Sequence, residues 1–160
     1  MKPQSAISIS ALLLLAGQAV GDIGDFDFPD GAQQHAVPAA DMPWQPCPAD
    51  LPKGCEMAVL EGNPQAAGLF TARFRLDAGL EVPPHTHPKD ERVTLLSGRM
   101  SVAFGAKATH DDAHRFGPGD YYVNARDAVH KVWVDEKAEL QITGFGPWQV
   151  NVVVQDSGQP

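Results

Sequence analysis

The sequence predicts a single all-β domain, and three observations carry that expectation. Fifteen glycines and fourteen prolines punctuate the chain closely enough to break long helices and to suit short strands joined by turns. Apolar residues alternate with polar ones in several segments, the period of a half-buried strand, and no segment sustains a helical period over about ten residues. The chain has 160 residues and is 43% apolar, long enough for one compact core and too short for two ordinary ones.

Taken from the N-terminus, residues 1–21 follow secretory logic. Lys2 is the one charge, the run Ala6 to Ala16 is apolar apart from two serines, and small residues follow at Gly17, Ala19 and Gly21. The run is about half of the roughly 20 residues that a membrane span needs. Cleavage near Ala19 or Gly21 is therefore expected, with export to the periplasm or the extracellular space and no stable membrane anchor; the main alternative is an uncleaved anchor. Gln18 stands where a lipoprotein processing site would need Cys. Residues 22–54 read as an irregular, acidic and Pro-rich arm, with Trp44 packing against the outside of the domain. Within it, Cys47 and Cys55 are eight positions apart across turn residues, so an oxidising compartment favours a disulfide. The alternative is two separate thiols, with Cys55 buried at the start of a strand.

The strands fall in residues 55–154. Cys55 to Glu61 is the first and Gly68 to Leu76 the second; in the latter Phe70, Ala72, Phe74 and Leu76 alternate with Thr71, Arg73 and Arg75. Arg92 to Leu96 and Arg99 to Phe104 flank Ser97-Gly98, which reads as a tight hairpin. Tyr121 to Val123, His130 to Val134, Leu140 to Gly144 and Trp148 to Val154 complete the set, and residues 155–160 read as a frayed tail.

Charge narrows the function. Twenty acidic against twelve basic side chains give a formal net charge of −8, which repels nucleic acid and anionic lipid. The chain has no HExxH helix, no GxSxG elbow, no phosphate-cradling loop and no dinucleotide fingerprint. What it has is His85 and His87. On an extended segment, which Pro83, Pro84 and Pro88 favour, side chains two apart share a face and two imidazoles converge on one ion. Four residues on, Glu91 enters an apolar strand, where a buried carboxylate needs a counter-charge such as a divalent cation.

The segment Gly79-x5-His85-x-His87-x3-Glu91-x6-Gly98 resembles the first motif of the cupin superfamily at every fixed position. A second stretch, Gly119-x5-Ala125-x-Asp127-x2-His130, resembles the second motif in its first glycine and its histidine. Ala125, Asp127 and Val134 stand where that motif has Pro, Gly and Asn, so Asp127 must take a glycine's backbone. The resemblance covers residues 55–154 and implies a cupin double-stranded β-helix, a jelly-roll barrel, with a metal inside it. It implies His85, His87, Glu91 and His130 as ligands of one divalent first-row metal: iron, manganese, nickel, zinc or copper. The ligand set leaves an open position for a small-molecule substrate, and Glu91 is the residue on which turnover would rest.

Other candidates are set out with their alternatives. Arg73, Arg75 and Thr71 would bind an acidic substrate if their face lined the barrel, and would be solvated if it faced outward. Gln141 and Thr143 would orient a ligand or a histidine, or else pair across strands. Tyr122, Trp133 and Trp148 would wall a pocket or pack in the sheets. His110, Asp111, Asp112 and His114 read as a solvated loop, as does His35 in the arm. The functional expectation is an exported metal-binding small-molecule enzyme, oxygenase-like first and isomerase or lyase second. The alternative is a non-catalytic periplasmic binding or sensing module. Homodimerisation is expected because jelly-roll sheets have edges to protect.

Overall fold

The computed structural model of the chain describes residues 24–49 and 51–154. The expected signal segment 1–21 and the tail 155–160 lie outside the described residues. The strands are β1 (Gln45–Pro46), β2 (Cys55–Glu61), β3 (Gly68–Leu76), β4 (Glu81–Thr86), β5 (Glu91–Phe104), β6 (His114–Phe116), β7 (Tyr121–Asn124), β8 (His130–Gly146) and β9 (Asn151–Val152). Among the described residues the only helical pieces are single 3-10 turns at Ala39–Asp41 and His110–Asp112.

The long strands β5 and β8 organise the domain. They pair antiparallel from Arg92↔Thr143 to Phe104↔His130, and each changes partner along its other edge. On β8, Ala138–Gly146 pairs with β3 while His130–Trp133 faces β4. On β5, Glu91–Thr94 pairs with β7 and Met100–Val102 with β6. Two layers result, β2-β3-β8-β5-β7 and β9-β4-β8-β5-β6, joined through the bent β5–β8 pair. This is the double-sheet jelly roll.

The bend corrects one sequence expectation. Ser97-Gly98 is not a hairpin: β5 runs straight through it, and register shifts between Leu95 and Met100 mark a bulge against β8. Gly98 has φ +79°, and a Cβ there would run into the Lys137 carbonyl oxygen, so the position needs glycine for both conformation and space. The same misreading split β8 into His130–Val134 and Leu140–Gly144, which are two halves of one strand. From 148 to 154 only Asn151–Val152 pairs.

The core fills the space between the layers. Phe70, Ala72, Phe74 and Leu76 of β3 point inward as their alternation predicts, against Val93, Leu95, Leu140 and Ile142 and the facing Met100, Val102, Val132 and Val134. The described part of the arm lies on the outside. β1 adds to the edge of β2, the Arg75 guanidinium stands 3.9 Å over the Trp44 ring, and His35 donates to the Leu60 carbonyl at 2.7 Å. Cys47 and Cys55 form a disulfide, with the Cys47 amide bonded to the Cys55 carbonyl.

Candidate metal centre

Three elements bring the histidines together. His85 on β4 and His130 on β8 are cross-strand partners, so their side chains leave the same face of the ladder. His87 follows one residue beyond the end of β4, and its carbonyl accepts from the Asp127 amide at 2.9 Å. Asp127 has φ +60°, the one positive value at a described non-glycine residue, as its place in the second motif requires. All three imidazoles are buried, with 1–3% of their surface exposed.

Their tautomers are fixed by backbone carbonyls. His85 Nδ1 donates to Pro83 O at 2.8 Å, His87 Nδ1 to Gln149 O at 2.7 Å and His130 Nδ1 to Ala128 O at 3.0 Å. With Nδ1 carrying the proton, each neutral ring keeps its lone pair on Nε2, the state of a metal-ligating imidazole with an anchored far side. Ligand atoms of the three lie within 4.8 Å of one another, and no other such cluster occurs among the described residues. His87 Nε2 is the buried side-chain polar atom left without a hydrogen-bond partner. An orphaned lone pair facing two others and a carboxylate fits a cation.

Glu91, at the start of β5, stands beside this triad. Its Oε1 lies 3.3 Å from His87 Nε2 and its Oε2 3.9 Å from His130 Nε2. Asn124 Nδ2 donates to Oε2 at 3.1 Å and reaches His130 Nε2 at 3.2 Å, while Trp148 Nε1 donates to Oε1 at 3.3 Å. Burial alone would raise the Glu91 carboxyl, but contact with His87, the His130 ring and the Asn124 amide outweigh it and hold the group at about 2. Burial pushes His85 down to about 4, helped by His130, and also lowers His130. His87 moves the other way, because its Glu91 contact outweighs burial. The site is a fixed anion under largely neutral imidazoles.

A cavity of about 70 Å³ opens onto His85, His87 and Glu91 between the two layers. Trp148 and Tyr122 form part of its wall, with Trp148 stacked on His87 at 5.3 Å. Trp133 does not reach it and packs instead beneath Lys131 and against His110. His110 pairs with Asp135 at 2.7 Å and Asp112 caps Thr109, so that stretch forms no ligand cluster with His114.

Arg73, Arg75 and Gln141 are not at this cavity, so the condition for their binding a substrate there, a face that lines the barrel, is not met. Inward Phe74 and Leu76 put both arginines on the other face of β3. There Arg73 donates to Gln141 at 3.3 Å and meets Glu139 at 3.5 Å, and Arg75 pairs with Glu139 at 3.2 Å. Thr71 bonds Glu61 and Thr143 on the same face. Asn124 is the polar group that sequence reading missed. Its one local signal is an amide in a strand beside Tyr122 and Val123, where Asn is disfavoured unless it has buried partners.

A bent double-sheet barrel with a buried histidine triad at its mouth defines a cupin. The chain belongs to the ChrR cupin-like domain family, whose profile matches residues 32–149. Solved structures carry the same fold. The polyketide cyclase RemF of Streptomyces resistomycificus is 16% identical with a TM-score of 0.64, over 78% of this chain and 88% of that one. An acetylacetone dioxygenase of Acinetobacter johnsonii is 20% identical with a TM-score of 0.60, over 84% and 87%. A putative acetylacetone dioxygenase of Methylibium petroleiphilum is 22% identical with a TM-score of 0.61, over 84% and 90%. No curated protein matches the chain.

Proposed function

We propose that this cupin is an exported metalloenzyme acting on a small organic molecule, with oxygenase-like chemistry first and isomerase or lyase chemistry second. The observation that carries the metal reading is the orphaned, buried Nε2 of His87 converging with its two neighbours. His85, His87 and His130 would hold a divalent first-row ion, with Glu91 as the fourth group and counter-charge. Such an ion supplies Lewis-acid polarisation of a substrate oxygen and, if iron, oxidative chemistry with dioxygen. The chain's own contribution is to fix the imidazoles through Nδ1 and to keep Glu91 ionised and oriented by the Trp148 indole N–H. The names of the acetylacetone dioxygenases favour the oxygenase class at the level of fold alone.

Export is supported by the N-terminal sequence and by the disulfide, which persists in oxidising compartments. No helix among the described residues is long and apolar enough to cross a membrane. A homodimer would cover exposed Tyr121 and Val123 on the edge strand β7. A second reading, a non-catalytic binding or sensing module, is favoured by one feature: Glu91 is so fully hydrogen-bonded that it is poorly placed to shuttle a proton.

Elemental analysis of protein purified without chelators or a histidine tag tests the metal. Wild type should carry a first-row metal near one per chain and His85→Ala should lose it. A wild type that stays empty after reconstitution would sink the reading. Turnover of any candidate by wild type but not by Glu91→Ala separates the enzyme from the module, for which tight binding without turnover is expected.

A further inference from the structure

The cavity beside the histidines has two unlike ends. Its polar side chains, His85, His87, Glu91, Tyr122 and Trp148, include no lysine or arginine, and the one carboxylate is that of Glu91. Trp148 already donates to Glu91, whereas the Tyr122 hydroxyl takes no part in the hydrogen bonds of the site. Burial and the nearby Glu91 charge push the Tyr122 phenol up, so it keeps its proton as a donor. The remaining wall is largely hydrocarbon, including Leu80 from the turn before β4, Val93 and Met100 of β5, and Val132, Leu140 and Ile142 of β8. Leu51 and Pro52, inside the loop closed by the Cys47–Cys55 disulfide, complete it.

We propose that this cavity binds a small molecule of one-ended polarity: an oxygen-bearing head directed at the histidines and hydrogen-bonded by the Tyr122 hydroxyl, and an uncharged hydrocarbon body. This rests on the metal-enzyme reading above and narrows its substrate class. A second charged group on the body would be stripped of water with no cation to meet it, and a polyol would leave several hydroxyls unpaired against Leu and Val side chains. Sugars, diacids and phosphorylated compounds are thereby excluded. The arginines that would have suited an acidic substrate are engaged on the outer face of β3.

The test compares methyl propyl ketone with levulinate, which has the same chain ending in a carboxylate. Binding to the full mature protein is followed by calorimetry and by Trp fluorescence, since Trp148 lines the cavity. The ketone should bind at least tenfold more tightly. Tyr122→Phe keeps the ring against Phe116 and should weaken the ketone about fivefold, the worth of one neutral hydrogen bond, with metal content unchanged. Levulinate binding as well as or better than the ketone, or no ketone binding up to its solubility, would overturn the proposal. An unchanged ketone affinity in Tyr122→Phe would remove the tyrosine from it. Metal content measured on the same samples keeps the two readings apart: empty protein defeats the metal enzyme, while loaded protein that prefers levulinate defeats only the substrate class.

Discussion

At the scale of single residues, the centre is a set of groups whose protonation the fold has fixed. His85 is held at about 4 by burial and by His130, and His130 is lowered by burial, so both stay neutral where their unfolded counterparts would take up protons. Their contribution to stability is present above the unfolded pKa near 6.5 and is lost as pH falls toward 4. Glu91, at about 2 against an ordinary 4.5, adds a further loss as pH falls from 4.5 toward 2. His87 is raised, so its contribution is full below pH 6.5 and declines only at higher pH, and it does not offset the acid loss. Chelated protein should therefore lose on the order of 3 kcal/mol of unfolding free energy between pH 6.5 and 4. Denaturant titrations across that range would show it, and a flat profile would contradict the buried neutral state. His85 and His87 were legible in the sequence because a spacing of two on an extended backbone is a local fact. Asn124 and the Trp148 donor were not, since each reaches Glu91 across more than thirty residues of chain.

At the scale of elements, β5 and β8 decide the architecture. Sequence alternation marked the apolar runs on either side of Gly98 but not their continuity, because a glycine between two strands reads alike as a turn and as a bulge. The tertiary contact settles it: the Lys137 carbonyl occupies the space where a side chain would begin. Gly98→Ala combines that clash with a positive φ and should cost about 2 kcal/mol or more, because backbone cannot yield cheaply. Gly105→Ala, at φ +104° with open space around it, carries the conformational strain alone. Thermal unfolding of the pair should place Gly98→Ala clearly below Gly105→Ala, and equal midpoints would refute the close-approach argument. On β3 the alternation separates the two sets, and the face that meets the opposite layer of the barrel is the one that lines the cavity. Arg73 and Arg75 fall on the opposite face, where both pair with Glu139.

For the whole molecule, the disulfide ties the outer arm to the barrel and keeps Leu51 and Pro52 on the cavity wall. Closing a loop of this length restricts the unfolded chain by about 2.5 kcal/mol on the entropic account. Cys47→Ala, which leaves the buried Cys55 in place, should lower the denaturant midpoint accordingly, and an unchanged midpoint would show that the bridge contributes nothing. Light scattering at high concentration should give the mass of two chains, and a monomer mass would refute the dimer. The sequence by itself determined the strand-rich class, the cupin resemblance, the histidine pair and the loop that the cysteines close, because periodicity, motif spacing and loop length are properties of the chain. Only the tertiary structure decided which face lines the cavity, that four short segments are two bent strands, and that Asn124, Tyr122 and Trp148 gather around Glu91. Those facts depend on contacts between distant segments, and a period of two is the same whichever face is turned inward.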